Sequence, residues 1–285
     1  MSRSWRVRYG QKCAVAGLFL TVCIMFLVVA SSAGAAPTWK VPVPVSVANE
    51  SADAAAFAFA PDGALAIVDE EGVGGFDQAA LYRPRPFGGP IGSSTPLSSN
   101  APQLHGIDVA VDARGNTVAV WTLELPGPVF RVEAAFKPIG GVFGPAAVLS
   151  STNISVQRPE VEFDAQGNAV VIWRQTVGTD GIFFQTKRAG EDFPPIASAT
   201  RLSDPANAAG NFGYQLASGA SGDIYAIYTQ DEGGVRRIRS SHRPSGGSFA
   251  ASRLVNADAI SLRKPTVAVT PSGGSVAAWV REDTF

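Results

Sequence analysis

The sequence predicts an all-β fold, a β-propeller of four-stranded antiparallel blades with about five repeats. Three observations predict it. A hairpin segment recurs five times at intervals of 51 to 55 residues, four short extended runs fit into each interval, and no helical period follows the N-terminal segment. Repetition at this period is typical of propeller blades, which bury their apolar surface against one another. The five hairpins lie near 56–69, 108–121, 160–173, 215–228 and 266–279.

The composition fits a turn-rich β protein. Of the 285 residues, 46% are hydrophobic and only 16% are charged, while glycines number 30 and prolines 20. These values exclude a charge-rich disordered chain, a coiled coil and a collagen.

The first element of the chain is a predicted signal peptide at 1–35. Residues 1–12 carry four bases and no acid, and the apolar stretch 13–30 is followed by small residues up to Ala33 and Ala35. This order is typical of a secretory signal cleaved before Ala36. We therefore expect a secreted or cell-surface protein with a repeat domain at 36–285. The alternative is an uncleaved anchor at 13–30, since about 17–25 apolar residues span a bilayer.

The mature chain has a mildly acidic charge and no cysteine. The four bases of the leader leave 19 bases against 24 acids, a net charge of −5. This balance argues against nucleic acid as a partner, and against a membrane unless the leader stays uncleaved. Cys13 and Cys23 both lie in the leader, so the fold is expected to hold together without disulfides, which favours a bacterial origin.

Each hairpin consists of an alternating strand, a tight turn and a second apolar strand. In the turn 112–115, Asp112 is suited to accept hydrogen bonds from turn amides and Gly115 to adopt a positive φ. The second strand is apolar on both faces, as expected between two blades, and its final aromatic is predicted to cover the seam to the next blade. The repeat positions are Gly63, Gly115, Gly167, Gly222 and Gly273 in the turns, Asp112 and Asp164 at the corners, and Trp121, Trp173, Tyr228 and Trp279 at the strand ends.

Two shorter runs complete each repeat. The third runs at 80–86, 132–138, 182–188 and 238–244 each carry a base near the end, and the fourth runs lie at 95–99, 147–151, 200–204 and 252–256. The bases are interpreted as charges that prevent the outer strands from pairing edge to edge with another sheet, or alternatively as a ring of positive charge on one face. The fifth repeat stops after its second run, so the last blade is expected to be incomplete or closed by an N-terminal strand at 39–47. The bases near the ends of the third runs are Arg83, Lys137, Lys187 or Arg188, and Arg243.

The stretches VDARGNTVAVW (111–121) and FDAQGNAVVIW (163–173) resemble the secreted repeat proteins of actinobacteria, whose propeller-like units have about fifty residues. The resemblance covers nearly the whole mature chain and implies an exported repeat protein with no defined activity. The unit is less similar to NHL-repeat propellers and to the Asp-box repeats of sialidases. In the Asp box the Asp precedes Gly by two positions, whereas Asp112 and Asp164 precede it by three.

No motif assigns a catalytic residue, a cofactor or a metal site, and the ligand-binding residues are unknown at this point. His105 and His242 occupy non-equivalent positions, which does not favour zinc. The acids at 69–71 and 231–232 follow second strands and are interpreted as solvated loop acids, with calcium ligands as the alternative.

The predicted function is that of an exported, non-catalytic repeat protein that binds a protein or a glycan, or acts as a scaffold, at the cell surface. Loops from different blades would form its contact surface. The alternative is a sialidase-like glycoside hydrolase with an axial active site, which requires three converging arginines and a Tyr–Glu pair. The triplet 82–84, Tyr-Arg-Pro, faintly resembles the arginine motif of sialidases.

Overall fold

A computed structural model describes residues 41–46, 52–74, 77–127, 129–151, 156–256 and 262–281. The chain divides into two compact units, Met1–Pro44 and Val45–Phe285. The predicted signal peptide at 1–35 and its cleavage site lie outside the described residues. Of the predicted N-terminal strand at 39–47, residues 41–46 are described, and they form no strand.

The second unit confirms the predicted propeller of antiparallel blades. Each of the first four sheets has four strands in chain order, running from an inner to an outer strand. The first three blades are formed by β1 (Ala52–Phe59), β2 (Leu65–Gly74), β3 (Asp77–Arg85) and β4 (Thr95–Pro96), by β5 (Leu104–Val111), β6 (Thr117–Leu125), β7 (Val129–Lys137) and β8 (Ala147–Val148), and by β9 (Val156–Phe163), β10 (Ala169–Val177), β11 (Thr179–Lys187) and β12 (Thr200–Arg201).

The fifth sheet has two strands among the described residues, in agreement with an incomplete last blade. One 3-10 turn at Ile196–Ser198 is the sole helical element of the described chain. The remaining strands are β13 (Ala209–Ser218), β14 (Ile224–Glu232), β15 (Val235–Arg243) and β16 (Arg253–Asn256) in blade 4, and β17 (Leu262–Val269) and β18 (Ser275–Arg281) in blade 5.

The first hairpin turn of blade 2 is held by one aspartate and one asparagine. Asp112 Oδ1 accepts hydrogen bonds from the amides of Arg114 at 2.9 Å and Asn116 at 2.8 Å, and Gly115 adopts φ +93°. Asn116 Oδ1 accepts the amide of Ile139 at 2.9 Å, which fixes the loop after the third strand to the turn. Blade 3 repeats the arrangement with equivalent residues. The two loops at this end of a blade are therefore held as one unit.

The blades are joined by apolar seams between second strands. Val118 and Val120 of β6 point toward blade 3 and pack in one buried cluster with Trp173. Trp173 thus covers the seam to the preceding blade, and Trp121 and Tyr228 also face their preceding blades. The prediction that these aromatics cover the seam to the next blade is wrong. The reason is that successive side chains of a strand point to opposite faces. The apolar residues at 118 and 170 face the following blade, and the aromatic three positions later therefore faces the preceding one.

A buried ion pair closes the seam between blades 3 and 4. Arg243 Nη1 at the end of β15 donates to Asp164 Oδ2 at 2.8 Å, and both side chains are buried. Asp164 also accepts the amides of Gln166, Asn168 and Gly246. Although burial opposes it, the hydrogen bonds from Arg243 and Asn168 lower the pKa of Asp164.

We expect Arg243→Met to destabilise the protein by about 2 kcal/mol, because it leaves the Asp164 carboxylate buried without its cation. The hydrogen bonds from the backbone amides to this carboxylate remain in the variant. Chemical denaturation of both proteins at pH 7 measures the difference. Arg253→Met changes an exposed arginine of the same blade and serves as the matched control, with an expected change below about 0.5 kcal/mol. Equal losses for the two variants would contradict the assigned role of the ion pair.

Candidate functional site

A repeated side-chain clasp links the inner strands of neighbouring blades. Asp108 Oδ2 of β5 accepts the amide of Val161 in the next blade at 2.9 Å. Glu160 Oε2 of β9 accepts the amide of Leu216 at 2.6 Å. Gln215 Oε1 of β13 continues the series by accepting the amide of Val267 at 2.7 Å. These three bonds define the inner-strand clasp. Blade 1 has Ala56 at the same register and so makes no such bond.

The clasp carboxylates are hard to ionise. Desolvation between the inner strands raises the pKa of Asp108 to about 6, against the hydrogen bonds from Val161 and its own neighbour Val109. Desolvation also raises the pKa of Glu160 to about 8, and the nearby acids Asp108 and Glu162 add to the shift. The pKa of Glu162 rises to about 7 by burial, although Ser218 Oγ donates to it at 2.8 Å. Three acids near the axis are thus poised to hold protons near neutral pH.

The described residues do not form the sialidase-like arrangement. Tyr214 lies close to Glu160, but its hydroxyl donates to the backbone at the carbonyl oxygens of Gln157 and Arg158. The Glu160 carboxylate accepts the Leu216 amide instead. Arg158 is exposed on the inner strand at φ +49°. Tyrosine and glutamate are therefore both engaged in holding blades together.

The arginines near the inner strands do not converge either. Arg174 pairs with Asp180 at 3.0 Å. Arg83 lies in blade 1 and forms a buried ion pair with both Asp69 and Glu71. This pairing also corrects the interpretation of 69–71 as loop acids, because all three acids lie buried within β2.

The bases at the ends of the third strands do not form an exposed ring. Lys187 lies with its Nζ 3.7 Å from the centre of the Phe136 ring of the preceding blade, and burial lowers its pKa. Arg243 turns to the preceding blade in the same way. The equivalent base in blade 1 is Arg85 rather than Arg83, since Arg85 occupies the last position of β3. Lys187 and Arg243 are buried, so the interpretation of these bases as a ring of exposed charge is wrong. For the same reason, the interpretation that they prevent edge pairing of the outer strands is wrong.

The remaining candidates have structural partners. His242 stacks on Tyr225, with ring centres 4.6 Å apart, and its Nε2 lies 3.2 Å from Asp223. Glu232 forms ion pairs with Arg237 and Arg239 of β15. In the described part of the chain no group of acids, histidines or cysteines is arranged to hold a metal ion. No helix among those same residues is long and apolar enough to cross a membrane.

The candidate binding site is a cavity of about 730 Å³ between blades 1 and 2, which we call the first-seam cleft. Its volume falls within the range typical of small-ligand sites, roughly 300–1,000 Å³. It lies at the end of the blades where the first hairpin turns and the loops after the third strands meet. Its apolar lining includes Tyr82, Phe87, Ile139, Val142 and Phe143, and its charged lining comprises Asp62, Arg85, Arg114 and Lys137.

The cleft exists because the first two turns do not meet. At the seam of blades 3 and 4, a Cβ at Gly222 would lie 2.4 Å from the Ala165 amide nitrogen, so those turns are in direct contact. At Gly115 the nearest atoms all belong to Ile139 of the same blade. Blade 1 also has Ala60 at the corner that Asp112 occupies in blade 2. The missing corner carboxylate and the separated turns leave space between the two blades.

The cleft presents apolar groups to solvent above a packed floor. Phe87 is 81% exposed, Ile139 65% and Val142 82%. Beneath them Tyr82 and Phe143 pack edge to face across the seam, with ring centres 4.9 Å apart. Sequence reasoning missed this site, and the signal that indicates it is the departure of the 60–64 turn from the repeat pattern. The arrangement combines an apolar surface with cationic side chains, which suits ligand binding.

No protein-family model matches the chain, and no curated protein matches it. In structure it is similar to a lectin from Burkholderia pseudomallei, with a TM-score of 0.54, 13% identity, and coverage of 86% of this chain and 72% of the lectin. It is also similar to the GH93 alpha-L-arabinofuranosidase of Fusarium graminearum, at a TM-score of 0.48 and 13% identity over 79% of this chain and 73% of the enzyme. A Hadza microbial sialidase matches at a TM-score of 0.42 and 12% identity over 76% and 47% of the two chains. At 13% identity the likeness to the lectin supports the propeller fold alone.

Proposed function

We propose that the protein is an exported, non-catalytic module that binds glycans through the first-seam cleft. The observation that carries the proposal is the cleft itself, a cavity of about 730 Å³ with exposed apolar walls and charged side chains at one end of two blades. Sugar rings pack their C–H faces on apolar and aromatic groups while their hydroxyl groups bond to charged side chains. The fold is also one that a lectin uses.

Export is part of this proposal and rests on the sequence at 1–35, where bases, an apolar stretch and small residues follow in order. An extracellular glycan on a cell or matrix surface is therefore the ligand we propose, and a protein carrying such a glycan is the corresponding partner.

A glycoside hydrolase is the second candidate, and one observation favours it. Desolvation raises the pKa of Glu162 to about 7, a value suited to a general acid. Against it, Glu160 and Asp108 accept backbone amides of the next blade and hold the inner strands together. The binding module accounts for both the cleft and the clasp, and we therefore prefer it.

Residues 36–285 are expected to bind oligosaccharides, and Phe87→Ala to weaken that binding by about tenfold, because a stacked ring contributes about 1–1.5 kcal/mol. Phe59→Ala is the matched control, since Phe59 is also a largely exposed phenylalanine, lies on β1 and does not line the cleft. Calorimetric titration with an oligosaccharide selected on a glycan array measures the affinities, and chromatography of the same mixtures detects cleavage. Equal affinities of the two variants, or shortened oligosaccharides in the mixture, would contradict the proposal.

A further inference from the structure

We infer that the first-seam cleft selects acidic saccharides, with Lys137 binding the oxyanion of a carboxylate or sulfate group. This inference rests on the proposed glycan-binding function and names the class of glycan. It is carried by the difference between Lys137 and its counterparts in the later blades.

Lys137 is the last residue of β7, and its counterparts at the ends of β11 and β15 are Lys187 and Arg243. Lys187 places its ammonium group over the Phe136 ring of the preceding blade, with Asp112 nearby. Arg243 donates to the corner carboxylate Asp164 of its preceding blade. In both later seams, therefore, the positive charge of this base interacts with an aromatic ring or a carboxylate of the preceding blade.

Lys137 faces a different neighbour. The corner residue of its preceding blade is Ala60, which offers no side-chain acceptor. Among the described residues, the Lys137 ammonium group forms no hydrogen bond or ion pair, although the residue is half-buried and lines the cleft. The fold thus positions a cation for a corner carboxylate that blade 1 does not supply. A ligand oxyanion would occupy the position that the Asp164 carboxylate takes in the later seam.

The charge of the whole cleft agrees with this assignment. Arg85 also lines it, against the single acid Asp62, so Lys137 and Arg85 give the cleft a net charge of +1. The guanidinium of Arg114, another lining residue, is not counted because it donates to the carbonyl of Gln166 in blade 3 at 3.4 Å. Arg85 Nε is bonded to the carbonyl of Gly89 at 3.1 Å, which holds the guanidinium at the cleft while its other donors stay available. The mature protein as a whole is acidic, so the sign of the cleft's charge is opposite to that of the protein.

The test compares three hexasaccharides of similar length, one of uronic acids, one of sulfated neutral sugars and one of unmodified neutral sugars. Calorimetric titration at 50 mM and 500 mM NaCl gives each affinity for residues 36–285. We expect at least one acidic ligand to bind ten times or more tightly than the neutral one at low salt. We further expect Lys137→Met to abolish this preference and Lys137→Arg to retain it, with the preference shrinking at high salt. Lys264→Met, which changes an exposed lysine on β17, is the matched control.

The outcomes separate the inference from the proposed function. Tighter binding of the uronic acid or of the sulfated ligand assigns the oxyanion as carboxylate or sulfate, provided that Lys137→Met removes the preference. Equal binding of all three ligands, weakened by Phe87→Ala, would overturn the acidic preference and leave the glycan-binding function standing. An acidic preference unchanged in Lys137→Met would also overturn the inference, because the charge would then lie elsewhere. Binding of none of the three would overturn both.

Discussion

Replacing Trp173 by alanine is expected to destabilise the protein by about 4 kcal/mol, the typical cost of deleting a fully buried aromatic ring. The Trp173 side chain is 0% exposed and fills the seam between blades 2 and 3 together with residues of both blades. Its indole Nε1 donates to Gln175 Oε1 at 2.9 Å, so the variant also leaves a buried acceptor without its donor. Since each blade is stabilised mainly by its neighbours, the loss is expected to lower the cooperativity of unfolding as well.

The matched control for this prediction is Trp279→Ala. Trp279 occupies the same repeat position in blade 5 but lies only partly buried, because the two described strands of that sheet leave the residue half-covered. We expect a loss of about 1–2 kcal/mol, in proportion to the smaller area removed from water. Urea titrations followed by circular dichroism measure both variants. A larger loss for Trp279→Ala than for Trp173→Ala would refute the seam assignment.

The stability of the protein is expected to fall as the pH rises from 5 to 8.5, by about 3 kcal/mol or more. Burial raises the pKa of Asp108, Glu160 and Glu162 to about 6, 8 and 7 in the folded protein. The folded state therefore holds more protons than the unfolded state across this window. The stabilisation is complete below the ordinary carboxyl pKa and is lost as the pH rises through the folded values.

Glu160→Gln is designed to isolate this effect. Its amide oxygen retains an acceptor for the Leu216 amide but cannot ionise. The slope of stability against pH is therefore expected to flatten, with the variant becoming the more stable protein at pH 8.5. Glu191→Gln changes an exposed carboxylate in a loop and is expected to leave the slope unchanged. Urea midpoints at pH 5, 6.5 and 8.5 give the slopes, and parallel curves for Glu160→Gln and the parent protein would show that the clasp does not titrate in this range.

The propeller was predictable because its signals are local and repeated. A turn residue such as Gly115, which adopts a positive φ, and an apolar second strand such as 118–121 each depend on a few adjacent positions. The side of the seam on which an aromatic lies was not predictable in the same way. It depends on which neighbouring blade each face of the strand contacts. That Trp173 packs against blade 2 is known only from the packed structure.

The candidate site lies where the repeat fails, and an averaged pattern hides such positions. In the sequence, Ala60 is only a position where the repeat lacks the aspartate found at Asp112. That this change leaves Lys137 without a carboxylate partner depends on how the two blades pack, which the sequence does not show. The raised pKa values of the clasp have the same origin, because Asp108 and Glu160 appear as ordinary polar positions of alternating strands. Whether residues 1–35 direct export remains a prediction from the sequence.

The inner-strand clasp always runs from one blade to the following blade, as in the bonds from Val161 to Asp108 and from Leu216 to Glu160. The array consequently has a direction, and each join after the one between blades 1 and 2 uses a side-chain acceptor in one blade and a backbone amide in the following blade. Duplication or loss of a whole interior unit would preserve every such pair, so gene rearrangement can change the length of the array without redesigning its joins. Ligand preference, in contrast, would evolve by single substitutions at one corner, independently of the architecture that carries it.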